Sequence, residues 1–198
     1  MAKVGLYFGS FNPVHIGHLA IAGYMTEFEG LEQVWFVVSP HNPLKKKETL
    51  LDDHQRLYMA QLALGDNPRL KASDIEFRLP VPSYTIDTLA YLKEKYPSNK
   101  FSLVMGEDNL YTLHKWKNAK ELLKEHPVYV YPRPGISKPS SAILGQLLSS
   151  ADISFSKAPL MDISGTFIRD GIKAGKDMSY YLAPEVWKYI REMHFYEK

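Results

Sequence analysis

The chain has 198 residues, with 24 basic and 22 acidic side chains and a formal net charge of +2. That balance excludes nucleic-acid or membrane binding through bulk charge, and the lack of cysteine excludes disulfides, thiolate catalysis and zinc–thiolate centres. The length suits a single domain over residues 1–198, large enough to bury a core without staples. No apolar stretch approaches the ~20 residues that span a bilayer. Met1-Ala2-Lys3 leads straight into a strand-like run, so a cytoplasmic protein is expected.

In chain order, the apolar run Val4–Phe8 predicts a first strand. A loop, Gly9-Ser10-Phe11-Asn12-Pro13-Val14-His15-Ile16-Gly17-His18, follows, and a helix-like run covers Leu19 to Phe28. Val34–Val38 predicts a second strand. Asp52-Asp53 suit the first turn of a helix carried by Leu57, Ala60 and Leu64. Ile86, Leu89 and Ala90 mark a helix in Tyr84–Lys95, which Pro97 closes. Phe101–Met105 and Val128–Tyr131 read as strands on either side of a helix marked by Ala119, Leu122 and Leu123. Pro132 to Ser141 is rich in Pro, Gly and Ser and reads as a loop or a boundary. Ser164 can cap a helix that begins near Gly165, and Pro184 opens a last helix carried by Val186, Tyr189 and Ile190.

Strand runs that are continuously apolar, rather than alternating, predict a parallel sheet covered on both faces. Strands alternating with helices predict an α/β, Rossmann-like doubly wound sheet with C-terminal helices. Such sheets bind ligands at the carboxyl ends of their strands, so the loops after Phe8, Val38, Met105 and Tyr131 should converge. His15 and His18 straddle the expected start of the first helix. A helix N-terminus offers unpaired N–H groups and a positive dipole end, and two imidazoles there make a donor site for phosphate oxygens. No third ligand at useful spacing argues for a metal on this pair, and the P-loop and dinucleotide glycine patterns are absent.

Gly9-x-Phe11-x-Pro13-x-His15-x-Gly17-His18 resembles the signature loop of the nucleotidyltransferase superfamily. Its His-Ile-Gly-His also matches class I aminoacyl-tRNA synthetases, but their Lys-Met-Ser-Lys-Ser loop and tRNA-binding domain are missing. Ile163-Ser164-Gly165-Thr166-Phe167-Ile168-Arg169 resembles the superfamily's second motif, with Gly165 in place of the usual serine. Ser83-Tyr84-Thr85-Ile86-Asp87-Thr88-Leu89, Gly106-Glu107-Asp108, Trp116 and Arg133 are similar to segments of the nicotinate-nucleotide adenylyltransferases. Ser39-Pro40-His41-Asn42-Pro43-Leu44-Lys45 departs from that family's Pro-Pro-His-Lys, with Lys45 as its cation.

The resemblance implies transfer of the adenylyl group of ATP to nicotinate mononucleotide, with pyrophosphate released and Mg²⁺ carried in with ATP. It implies that His15, His18 and Arg169 stabilise the migrating group and the leaving pyrophosphate. It places ATP on Gly9, Ser10, Phe11, His18, Gly106, Asp108, Arg133, Ile163, Ser164, Thr166 and Arg169. It places the mononucleotide on Lys45, Tyr84, Thr85 and Trp116, with Trp116 stacking the pyridine. A phosphopantetheine-type transferase and a nucleotide-binding regulator without turnover are the alternatives. No nucleic-acid or membrane partner is expected, and a homo-oligomer is left open.

Overall fold

A computed structural model describes residues 1–40, 50–137 and 142–198. Six strands form one sheet: β1 (Lys3–Gly9), β2 (Gln33–Val38), β3 (Leu70–Ser73), β4 (Lys100–Gly106), β5 (Val128–Tyr131) and β6 (Ile153–Phe155). Their order is β3-β2-β1-β4-β5-β6, and every pairing is parallel. The helices are α1 (Ile16–Phe28), α2 (Asp53–Leu64), α3 (Thr85–Lys95), α4 (Glu107–Leu110), α5 (Ala119–Glu125), α6 (Ala142–Ser149), α7 (Gly165–Lys173) and α8 (Pro184–Glu192). This is the doubly wound Rossmann-like order, and the winding reverses between β1 and β4.

The continuous apolar runs have a direct cause. Tyr7, Phe36, Val104 and Tyr131 face a core shared with Ile21 and Met25 of α1, Met59 of α2, Ile168 of α7 and Ile190 of α8. Their chain neighbours Leu6, Trp35, Leu103 and Val130 face the opposite core, with Leu89 and Leu92 of α3 and Leu122 of α5. Both faces of the central strands are buried, so both residue parities are apolar. At about 25 cal/mol per Å² of apolar surface buried, these two layers are the main stabilising term.

The edge strands β3 and β6 lack that signature and are absent from the sequence reading. Leu70 and Ile153 are only partly buried, while Lys71, Ser154 and Phe155 are exposed. The Pro-rich segment after Tyr131 leads into α6 and then β6, which pairs with β5, so the chain beyond it extends the same sheet. Among the described residues, no helix is long and apolar enough to cross a membrane.

Candidate active site

The loop after β1 and the first turn of α1 form one side of the site. His15 is the residue before the helix, extended at φ −145°, and His18 lies in the first turn. The His15 N–H donates to His18 Nδ1 at 3.2 Å, and the two rings stack with centroids 3.7 Å apart. An Nδ1 that accepts leaves the neutral His18 ring with its proton on Nε2, a donor. His15 is buried, and burial, reinforced by the nearby Arg133 cation, lowers its pKa to about 4. It is therefore neutral at pH 7.

The loop is held from beneath by Arg56, which is fully buried on α2. Its guanidinium donates to the carbonyls of Ser10 at 2.6 Å, Ser39 at 2.9 Å, Pro40 at 3.2 Å and Leu51 at 2.9 Å. One side chain thus ties the carboxyl-end loops of β1 and β2 together. Five fixed donors make arginine the residue for this task, although burial lowers its pKa below the ordinary value. Ser10 is part of this frame. Phe11 sits at φ +45° with its ring buried against the Gly9 backbone.

The second motif closes on the same loop. Ser164 caps α7, its Oγ accepting from the Phe167 N–H at 3.1 Å, as its sequence position predicts. Arg169 donates from Nη1 to the Asn12 carbonyl at 2.7 Å and from Nη2 to Thr166 Oγ1 at 3.2 Å. The Asn12 side chain accepts from the Tyr196 hydroxyl at 2.7 Å, so the end of the chain also braces the loop. This explains the departure from serine at Gly165. A Cβ there would lie 2.8 Å from the Asn12 carbonyl oxygen, closer than real Cβ atoms approach backbone. In this chain the missing Cβ lets the start of α7 lie directly against the Asn12 carbonyl.

The third wall comes from β4 and β5. Asp108 Oδ1 lies 3.6 Å from Arg133 Nε, and the Arg133 N–H donates to Glu107 at 3.2 Å. Burial opposes the charge on Arg133, but Tyr131 and Asp108 outweigh it and keep the guanidinium charged. A Cβ at Gly106 would fall 2.4 Å from Asp108 Oδ1 and 3.0 Å from Arg133 Nε, so a side chain there would have to displace that pair. His15, His18, Tyr131, Arg133 and Ile163 line a common cleft. His15 Nδ1, Asp108 Oδ1 and Arg133 Nε are buried without a hydrogen-bond partner among the described residues. Asp108 Oδ1 and Arg133 Nε compensate each other in part as an ion pair, while an unmade bond at His15 Nδ1 costs about 1–3 kcal/mol, so the cleft suits a polar ligand.

The residues expected to hold a mononucleotide form a second group. Lys117 Nζ lies 2.8 Å from Asp87 Oδ2 and 4.7 Å from the Tyr84 ring, which brings the start of α3 beside the Trp116 segment. Tyr84 is exposed, while Thr85 and Trp116 are half-buried. Thr88 is buried and donates to Glu76 at 2.9 Å. Burial raises the Glu76 pKa, against hydrogen bonds from the Ser39, Thr88 and Ser83 hydroxyls. Because the Ser39 N–H donates to the Gly9 carbonyl at 3.0 Å, Glu76 links this group to the first loop. Lys45 and His41 lie outside the described residues. Arg56, Glu76, Tyr196 and the Tyr7–Tyr131 pair are absent from the sequence reading of the site. Their partners lie far away in sequence.

Residues 6–171 match a family model described as cytidylyltransferase-like. A Flavobacterium psychrophilum protein named probable nicotinate-nucleotide adenylyltransferase is 56% identical over 196 residues, covering 99% of this chain and 100% of its own length. The Bacteroides fragilis protein of that name is 46% identical over 188 residues, covering 95% and 90%. The solved Plasmodium falciparum nicotinic acid mononucleotide adenylyltransferase complexed with NaAD superposes with a TM-score of 0.81 at 18% identity, over 100% of this chain and 98% of that one. That last likeness speaks to the fold. With full-length relatives at these identities, the chain belongs to the nicotinate-nucleotide adenylyltransferase family, within the cytidylyltransferase-like proteins.

Proposed function

We propose that this chain, as a single nucleotidyltransferase domain over residues 1–198, transfers the adenylyl group of ATP to nicotinate mononucleotide. The products are nicotinate adenine dinucleotide and pyrophosphate, a step of NAD biosynthesis. The observation that carries the reading is the docking of the second motif on the first, through Arg169 and the Asn12 carbonyl, beside the His15–His18 pair. Full-length relatives named for this activity support it.

The attacking phosphate of the mononucleotide is already an anion at neutral pH, since a phosphomonoester has its second pKa near ~6. It attacks the α-phosphorus of ATP, and the bond to the β-phosphate oxygen breaks. No proton has to be removed from the nucleophile. Catalysis then rests on positioning and on donors aimed at developing negative charge. His18 supplies Nε2–H and His15 a neutral ring nitrogen, while the α1 N-terminus adds backbone donors. Arg169, Ser164 and Thr166 hold the leaving pyrophosphate. Gly9, Ser10 and Phe11 shape the loop beneath the triphosphate, Arg133 faces the phosphates from the opposite wall of the cleft, and Gly106, Asp108 and Ile163 complete the ATP site. Tyr84, Thr85 and Trp116, with Lys45, receive the mononucleotide.

Among the described residues, no three His, Asp or Glu side chains group to hold a metal, and Asp108 faces a cation. Mg²⁺ brought in on the triphosphate would be held by phosphate oxygens and water, with Asp108 the carboxylate available in this wall of the cleft. Bound in that way, the ion would neutralise phosphate charge. Pyrophosphate release with Mg-ATP and nicotinate mononucleotide, with the nicotinamide form in parallel, tests the reading. Release with the nicotinate form is expected, and none with either mononucleotide would overturn it.

A further inference from the structure

Tyr7 on β1 and Tyr131 on β5 flank the strand between them and face the same core. The Tyr7 hydroxyl donates to the Tyr131 hydroxyl at 3.2 Å, and Arg133 Nη2 donates to the same oxygen at 3.3 Å. Burial raises both phenols above the ordinary tyrosine value, so both hydroxyls carry protons at neutral pH. A phenol has one proton to give and accepts through its lone pairs. Tyr131 accepts from both neighbours, and its own proton has no acceptor among the described residues. Reversing the mutual bond would only move the spare proton to Tyr7, because the pair holds two protons and shares one bond.

Packing does not account for this arrangement. Phenylalanine at both positions would fill nearly the same volume without burying two hydroxyls, and buried hydroxyls cost energy unless they are paired. Both tyrosines line the same cleft as His15, His18 and Arg133. His18, Arg133 and the α1 N-terminus bring donors to this cleft and outnumber its one carboxylate, Asp108, so the cleft suits an anion.

We propose that the Tyr131 hydroxyl is a further ligand-binding group of this cleft, donating to a phosphate oxygen of the bound nucleotide, with Tyr7 as the positioning residue that aims it. The inference rests on the reading of the cleft as a nucleotide site. Tyr131 touches ligand; Tyr7 acts through Tyr131.

The test is calorimetric binding of Mg²⁺ α,β-methylene ATP, with adenosine as the ligand that lacks phosphate. Pyrophosphate release by the native protein is measured separately. Absent turnover therefore counts against the reaction, while the binding data still decide on Tyr131. Tyr131→Phe is expected to weaken the analogue about tenfold, the loss of one hydrogen bond to a charged group, and to leave adenosine unchanged. Tyr7→Phe is expected to cost about two- to threefold, because Tyr131 keeps its proton but loses its aim. In an Arg133→Ala background, Tyr131→Phe should still cost about tenfold. Unchanged analogue affinity would overturn the proposal. So would an effect that vanishes without Arg133, since Tyr131 would then serve only as a prop for the guanidinium. If Tyr131→Phe fails to fold, native protein labelled at tyrosine Cζ carries the test, with Tyr7→Phe separating the two resonances. A Tyr131 resonance that moves on adding the analogue supports the proposal, and one that stays fixed overturns it.

Discussion

The two ends of the proposed site are built differently. At the phosphate end, the loop after β1 carries the stacked histidines and is gripped by buried or half-buried groups from distant parts of the chain, Arg56, Arg169 and Tyr196. At the pyridine end, Tyr84 and the Trp116 segment meet through Lys117 and Asp87, whose side chains are 43% and 48% exposed. A preorganised wall stabilises charge without rearranging at the moment of reaction. A solvent-facing pair contributes little and can adjust to the shape of a ligand. Substitutions at the first end should therefore strike stability and kcat, and those at the second end should strike KM.

The largest effect should come from Arg56→Met. It deletes a cation bonded to four carbonyls and leaves these half-buried groups without that donor. At about 1–3 kcal/mol for each unmade bond, part of it recovered by water, several kcal/mol of stability should be lost. Chemical denaturation reads this directly, and an unchanged midpoint would show that the loops hold themselves. His18→Ala comes next. Removing one preorganised donor should lower kcat by about 10²–10³. Stability should fall by the smaller cost of the His15 N–H bond and the ring contacts with His15, Tyr7 and Phe11. Near-normal turnover would remove His18 from the charge-stabilising set.

His15 makes the contrast testable with pH. Its pKa falls from 6.5 in the unfolded chain to about 4 in the fold, chiefly by burial and then by Arg133. Between those values the unfolded chain binds more protons. The stability this group contributes is fully present above about pH 6.5 and is lost as pH falls to about 4, by up to about 3 kcal/mol. Unfolding free energies measured from pH 7 to pH 4 should show that slope, and His15→Asn should lack this part of it. Equal slopes in the two proteins would mean that His15 is not held neutral.

How legible these features were in the sequence follows from how local they are. The four inner strands announce themselves, because burial on both faces makes their central residues almost continuously apolar. β3 and β6 are half-exposed edges of three or four residues and carry no such pattern. His15, His18, Ser164 and Arg169 sit in short motifs at strand–helix switches, where local order already suggests phosphate. Tyr7 and Tyr131 sit inside apolar strands, 124 residues apart, and look like packing until the fold joins their hydroxyls. Tyr196 and Asn12 are 184 residues apart, beyond any local reading. Gly165 reads in sequence only as a departure from serine, and the fold alone sets it against the Asn12 carbonyl, far away in the chain.

At the pyridine end, Trp116→Ala should raise KM for nicotinate mononucleotide about tenfold. Stacking of an aromatic ring on a ligand ring is worth about 1–3 kcal/mol. Turnover at saturation should change little, because Trp116 is placed away from the phosphorus that reacts. An effect confined to the KM for ATP would move Trp116 out of the pyridine subsite.

Lys117→Ala should have the smallest effect, and it is the sharpest check on the contrast. Its ammonium pairs with Asp87 and lies over the Tyr84 ring, both at exposed positions. An exposed ion pair is worth about 0–1 kcal/mol and an exposed cation–π contact about 0.5–1 kcal/mol. Salt screens the charged part further. The expected outcome is a rise of at most about fivefold in the mononucleotide KM, shrinking as salt is added, with kcat and melting temperature unchanged. A fall in kcat on the scale expected for His18→Ala would mean that the exposed pair aligns the reacting groups. The two ends would then be a single rigid unit, and the division between a charge-stabilising wall and an adaptable pyridine end would fail.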